Sequence, residues 1–308
     1  MSNNTKSWLF LIILALIWGS SFILMKKGMY HPSGRSIFSA SQVGTLRMLL
    51  ASLVLLPLTF VSLKKLKAKK DLLYFSIVGF CGSFFPAFLF AYAETGISSG
   101  FAGMMNSFTP IFTIILGFVI FNQRLKSTQL FGSLIGTTGI TCLVFSGKQI
   151  AFDADWNHLL AVILATFFYG LSLNTIKHKL NGYTSSETTS IAVGLLFIPS
   201  LICFFYLDTQ FVFYSNQHAL EGFSYIAVLA IIGTAFATFI FNGILRMSSA
   251  LFASSVTYLI PIVAVFIGVY FNEKISFFQV ISMFVILMGI LVANYAEIIK
   301  VKNRKESE

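Results

Sequence analysis

Charge is what this sequence has least of. Only 10% of its 308 residues are charged and 11 are acidic, too few to wet the surface of a water-soluble protein of this length. No stretch shows a His-Glu-x-x-His zinc pattern, a P-loop or a dinucleotide fingerprint. His31, His158, His178 and His218 all fall at or outside the ends of the apolar runs. These absences exclude ATP drive by this chain and leave no catalytic residue, metal ligand or cofactor site to nominate, so the chain reads as not an enzyme. The three cysteines, Cys81, Cys142 and Cys203, lie inside apolar runs without zinc-ligand or disulfide spacing and read as small packing residues. No carboxylate stands in the middle of an apolar run, which removes the usual carrier of a proton or sodium relay. Alternating polarity is missing too, which argues against a lipid-facing barrel.

What is present is apolar. Hydrophobic residues make up 56% of the chain, 35 residues are Phe, and the mean hydropathy is +0.84. Polar clusters divide the chain into ten apolar segments, at roughly 8 to 25, 42 to 62, 72 to 93, 99 to 121, 127 to 146, 157 to 176, 187 to 206, 224 to 245, 249 to 271 and 276 to 295. Each is near the ~20 residues that carry a helix across a bilayer, and helices satisfy their own backbone in hydrocarbon. The expected fold class is an all-α integral membrane protein. The first segment lacks a small-x-small cleavage site and ends in Lys26-Lys27, so it reads as a retained span.

The net charge of +10 sits in short loops between the runs, as a membrane protein's topology signal does, and does not form a nucleic-acid-binding stripe. With the N-terminus inside, fifteen Lys and Arg residues fall on the cytoplasmic side, including Lys64, Lys65, Lys67, Lys69 and Lys70. Five, Lys26, Lys27, Arg35, Lys148 and Lys274, fall on the other. By the positive-inside rule both termini are expected in the cytoplasm. The charge run from Lys64 to Lys70 reads as part of that signal.

One block of sequence is written twice. Trp18-Gly19-x-Ser21-x4-Lys26 returns as Tyr169-Gly170-x-Ser172-x4-Lys177. Gly82, Phe85, Phe88 and Phe90 return as Gly233, Phe236, Phe239 and Phe241, and Phe101-Ala102, Pro110-Ile111 and Gly117 as Phe252-Ala253, Pro261-Ile262 and Gly268. Five spans per copy put the second copy upside down relative to the first, giving ten helices as two inverted five-helix repeats. The expected boundaries are 1–148 and 149–300, with a cytoplasmic tail at 301–308.

The duplication also proposes where a solute would sit. Pro110 and Pro261 lie near the middle of the fourth and ninth spans as matched kinks, each freeing the carbonyl four residues earlier, that of Asn106 or Thr257. Trp18, Ser21, Tyr169 and Asn174 on the first and sixth spans, Asn242 on the eighth and Tyr258 beside Pro261 are the other candidate solute contacts. Ser and Gly in such places also serve close helix packing, and a kink also serves packing alone. Arg47, about five residues from the outer end of its span, and Glu94, at the outer end of the third, are candidates for coupling or gating. Glu94 reads more simply as a loop residue, and Lys26 and Lys177 as snorkelling side chains. Gly132, Gly136 and Gly139 give the fifth span a small-residue face, suited to packing within one chain or between two.

With its opening Trp18-Gly19-Ser20-Ser21-Phe22, its Pro110 leading to Phe121-Asn122-Gln123-Arg124-Leu125, and the echo Pro261 to Phe271-Asn272-Glu273-Lys274-Ile275, the chain resembles the EamA family of the drug/metabolite transporter superfamily. That family carries Gly-Glu-Arg/Lys at the ends of its fourth and ninth helices, which this chain keeps only in part. The resemblance implies a ten-helix inner-membrane permease, often an exporter of amino acids or other small metabolites, with a central cavity lined by helices of both repeats. Alternating access, the two halves rocking about a solute held there, is the mechanism we expect. Its expected partners are a small-molecule substrate and the lipid bilayer, with no nucleic acid and no cofactor, as a monomer or homodimer. A channel-like or scaffolding subunit of a membrane complex is the alternative.

Overall fold

A computed structural model describes residues 3–124, 126–146, 156–248, 250–254, 256–270 and 276–305. The described chain is helical almost throughout, and its β structure is a single bridge between Tyr30 and Ser36. We number the long helices α1 Asn3–Met29, α2 Ala40–Leu63, α3 Asp71–Ala93, α4 Ser99–Val119, α5 Ser127–Ser146, α6 Trp156–Lys179, α7 Ser185–Tyr206, α8 Ala219–Met247, α9 Val256–Tyr270 and α10 Phe277–Lys305. Among the described residues seven of these, α1 to α4 and α6 to α8, are long and apolar enough to cross a membrane. The other three occupy the remaining apolar stretches of the sequence.

Local signals set the helix ends. Ser39 and Gln42 form a capping box at the start of α2, and Thr184 and Glu187 form one at the start of α7. In each, the side-chain oxygen takes up an orphan backbone N–H, so the second helix of each half starts cleanly. Outward faces are greasy, as with Leu53, Phe60 and Val61 on α2 and Ile198, Ile202 and Phe205 on α7, which suits contact with lipid chains. The glycine face of α5 is used inside the chain: it packs along α10, and a methyl built on Gly139 would come 2.8 Å from the Ile286 backbone N. Only a hydrogen in place of a side chain permits that approach.

Three of the long helices are locally rewound. α3 passes through a π-helical turn at Phe80–Phe84 and α8 through another at Ile231–Phe236. The two turns occupy the same place in the two sequence copies, around the matched Gly82 and Gly233. α4 tightens instead into a 3-10 turn at Asn106–Phe108. Pro110, expected as a mid-helix kink, lies near the middle of α4 in the first turn of the segment Thr109–Val119 that follows this 3-10 turn, where its missing N–H costs least. Pro261 lies inside α9.

Two large apolar clusters are stacked along the helices, with smaller ones beside them. One gathers Phe22, Met25, Met29, Phe38, Phe90, Phe101, Val162 and Ile226. The other gathers Leu11, Leu14, Phe75, Leu173, Ile176, Leu180, Ile191 and Ile244. Trp18 packs against both, which places it between them.

Near the second cluster, the α2–α3 and α6–α7 connections are latched together. The buried Tyr183 hydroxyl donates to Asp71 Oδ2 at 2.5 Å and accepts from the Lys67 backbone N at 2.8 Å, while Lys67 Nζ donates to the Gly182 carbonyl at 2.6 Å. Burial and the Asp71 carboxylate together push the Tyr183 hydroxyl above its ordinary pKa, so it stays protonated and remains a donor. Tyr183→Phe leaves the buried Asp71 oxygen and the Lys67 N–H without their partner. We expect a loss of about 1–3 kcal/mol, read as a lower unfolding midpoint in detergent; an unchanged midpoint would remove the latch from the stability account.

Candidate functional site

Between the two apolar clusters lies a cavity of ≈ 1030 Å³, its open mouth included. Both halves of the chain build it. The first contributes Trp18, Ser21, Arg47, Gly82, Ser83 and Asn106, and the second Tyr169, Ser172, Gly233, Thr234, Asn242 and Thr257. Apolar walls with a few convergent polar groups are the composition of a small-molecule site.

The two copies are cross-packed around it. Ser21 of α1 faces Gly233 in the π turn of α8, where an added methyl would stand 3.1 Å from its Oγ, and Ser172 of α6 faces Gly82 in the π turn of α3. Gly19 meets Val263 of α9, and its counterpart Gly170 meets Phe112 of α4, positions that also correspond across the duplication. The first helix of each copy is thus inserted against the third and fourth helices of the other. A π turn carries one residue more per turn and leaves the regular i→i−4 ladder. At Gly233 the carbonyl is engaged from across the cavity, accepting a hydrogen bond from Trp18 Nε1 at 3.0 Å.

Arg47 is the charge of this cavity. Its Nε donates to Thr234 Oγ1 at 2.9 Å, which fixes the plane of the guanidinium. Among the described residues no carboxylate lies within 4.0 Å of it and no acceptor is bonded to its terminal nitrogens. A cation kept in the low-dielectric interior without an ion pair is costly, and it is tolerable where it faces a wet cavity. There it offers two aligned N–H donors to an entering anion.

Of the other residues singled out in the sequence, Asn242 lines the cavity and donates through Nδ2 to Thr189 Oγ1 at 2.8 Å, while its buried Oδ1 has no partner. Asn106 lines it too. The two carbonyls expected to be freed by the prolines are taken by hydroxyls: Thr109 Oγ1 donates to the Asn106 carbonyl at 2.9 Å, and Ser107 Oγ to that of Thr257 at 3.3 Å. The first bond stays within α4, and the second ties α4 to α9. Asn174 lies away from the cavity wall. Its Nδ2 donates to the carbonyls of Thr113 and Gly170, each at 2.9 Å, tying α6 to α4. The side chain of Tyr258 lies outside the described residues. Lys177, read as snorkelling, has its Nζ bonded to the Leu245 carbonyl at 3.0 Å and to that of Ser248, closing the end of α8.

Glu94 departs furthest from its sequence reading. It caps α3 but is 3% exposed, its Oε2 accepting from Ser99 Oγ at 3.5 Å and its Oε1 buried without a hydrogen-bond partner among the described residues. It does not line the cavity. Sequence reasoning also passed over Thr234, which orients Arg47, and the π turns themselves. The repetition of Gly82 at Gly233 marked the place, though not the hydrogen-bond pattern of the turns.

Comparison with known proteins gives this arrangement a family. The profile of the "EamA-like transporter family" matches residues 5–145 and again 156–295, the same two copies. The uncharacterized transporter YdfC of Bacillus subtilis is 25% identical over 60% of this chain and 60% of its own length. Protein PagO of Salmonella typhimurium is 22% identical over 99% of this chain and 97% of its own. A probable amino-acid metabolite efflux pump of Salmonella typhimurium is 27% identical over 48% of this chain, which spans about half (47%) of that relative. A solved crystal structure shares the fold with a TM-score of 0.62, covering 95% of this chain and 97% of that one at 16% identity. With its multiple apolar helices and a profile matching both copies, the chain is a multi-pass membrane protein that belongs to the EamA-like transporter family.

Proposed function

We propose that this protein exports a small metabolite bearing a carboxylate, such as an amino acid, by alternating access across the inner membrane. The observation that carries the reading is the cavity built from both copies with an unpaired Arg47 in its wall. Because the helices that line it come from both halves, rocking one half against the other would open it to either side in turn. The apolar clusters above and below are the surfaces such a motion would part and close. Relatives named as amino-acid metabolite efflux pumps point to the same class of cargo.

In this reading ten spans form two inverted repeats, 1–148 and 149–300, with both termini and the 301–308 tail in the cytoplasm. Trp18, Tyr169 and Phe241 supply apolar faces to the cargo, and Ser21, Asn106 and Asn242 supply hydrogen bonds. Glu94, buried near the outer end of α3, is the group to test for proton coupling.

The test is transport by purified protein in liposomes, using radiolabelled amino acids and their carboxamides, with and without an imposed proton gradient. We expect saturable uptake and counterflow of the carboxylates and little of the carboxamides. Unsaturable flux would mean a channel, and equal flux of acid and amide would remove Arg47 from recognition.

A further inference from the structure

We propose a divalent transition-metal site at the end of the molecule where α1 and α8 meet, made by His31, His218 and Glu221. Nothing in the transport reading uses these residues. His31 Nε2 and His218 Nδ1 lie 3.6 and 3.8 Å from the same oxygen, Glu221 Oε2. All three donor atoms fall within 4.8 Å of one another. Donors around a tetrahedral zinc ion, bonded at about 2.0–2.1 Å, stand about 3.3 Å apart. Small side-chain rotations close the difference.

The frame beneath the donors is rigid. His31 opens a tight turn in which its backbone N donates to the Arg35 carbonyl at 2.9 Å and its carbonyl accepts from Gly34 N at 2.8 Å. Gly34 there adopts φ 82, a conformation that favours glycine. His218 stands at the N-cap of α8, with Glu221 one turn on. Asn216 joins the two pieces: its Nδ2 donates to the Ser36 carbonyl at 3.0 Å, and its Oδ1 accepts from His218 N at 3.0 Å.

Metal binding puts a proton on each second ring nitrogen. Ser33 Oγ, 2.8 Å from His31 Nδ1, can accept the first in place of the bond Nδ1 takes from Ser33 N at 3.2 Å, and the Gln217 amide, whose nitrogen is 3.1 Å from His218 Nε2, must turn its oxygen to accept the second. The imidazoles stack with centroids 3.9 Å apart, and chelation would splay them to about 5 Å so that both ligating nitrogens reach one tetrahedral ion. Two imidazoles with one carboxylate suit zinc and its neighbours in the transition series; magnesium and calcium prefer all-oxygen sets. With the histidines about one-quarter exposed and Glu221 40%, water completes the coordination. The bound ion would staple the first copy to the second.

The experiment is zinc titration of the full-length protein in detergent by calorimetry, with H31A/H218A, E221Q and H158A as variants and unfolding midpoints recorded for each. We expect one saturable zinc per chain, weakened at least 10-fold by E221Q and lost in H31A/H218A, unchanged in H158A, with magnesium giving no signal. Wild-type protein should also unfold later with zinc present, and E221Q should not. The proposal is overturned if no saturable zinc binding occurs, or if E221Q, folded by its midpoint without metal, binds as tightly as wild type. Neither result bears on cargo transport, so the two readings fail separately.

Discussion

Arg47→Gln is expected to weaken capture of a carboxylate cargo by roughly 30- to 1000-fold, corresponding to about 2–4 kcal/mol, without weakening the fold. The two halves of this expectation come from one arrangement. Among the described residues Arg47 has a single acceptor, Thr234 Oγ1, so in the proposed reading its remaining donors serve what enters the cavity, and an amide cannot supply the charge they meet. For the folded protein the cation is a burden, because it is held in the interior without an ion pair, and its removal should leave the unfolding midpoint unchanged or higher. A conservative Arg47→Lys keeps the charge but loses the planar fork and the bond geometry to Thr234, and should recover only part of the affinity. Binding can be followed by quenching of Trp18, which lines the same cavity, using the best solute from the liposome panel. Full transport by Arg47→Gln, at equal protein in the vesicles, would sink the assignment.

Gly79→Val should be among the most disruptive single changes, costing about 3 kcal/mol, at the upper end of overpacking effects. Gly79 sits at the entry to the π turn of α3, and a methyl built there runs into the Ala192 carbonyl of α7. A backbone atom cannot rotate aside, so α3 and α7 would have to separate, and with them a wall of the cavity that includes Ala192 and Val193. At Gly82 the obstacle is the Ser172 hydroxyl, which has rotamers to use, and the same substitution should be milder. Gly243 is the control: nothing lies within 4 Å of its added Cβ, so Gly243→Ala should stabilise α8 by up to about 1 kcal/mol. Thermal melts of the three variants give the ranking, and a Gly79→Val protein that melts with the wild type would show that α3 and α7 do not depend on this contact.

The duplication was legible residue by residue, and it led to much of the cavity: Trp18, Ser21, Asn106, Tyr169 and Asn242 all meet there. Asn174 shows the limit of that reading. It is two residues from Ser172, about 200° around a helix, so when Ser172 faces the cavity Asn174 faces α4. Polarity marked both residues as candidates, but the rotation of α6 decided between them. The π turns were illegible for another reason. They are a pattern of hydrogen bonds, and residues such as Phe80–Phe84 have no composition that demands it. Glu94 read as a loop residue because it ends a span, and its burial depends on a neighbour, Ser99, brought in by the start of α4 and itself in reach of the Phe22 carbonyl of α1. His31 and His218 belong to opposite halves, and only the folded chain sets their rings face to face.

The paired π turns also carry a record of descent. Such a turn arises when one residue is inserted into an α-helix and the fold absorbs it locally. Here both turns sit at corresponding places, with the spacing of 151 intact from Trp18 and Tyr169 through Gly82 and Gly233 to Pro110 and Pro261. Two independent insertions would have had to strike the same position in each copy. The parsimonious order is one insertion in an ancestral half-length gene, then duplication. A half-length chain of that kind would have needed a second copy of itself, because each first helix is seated against the wide turn of the other copy.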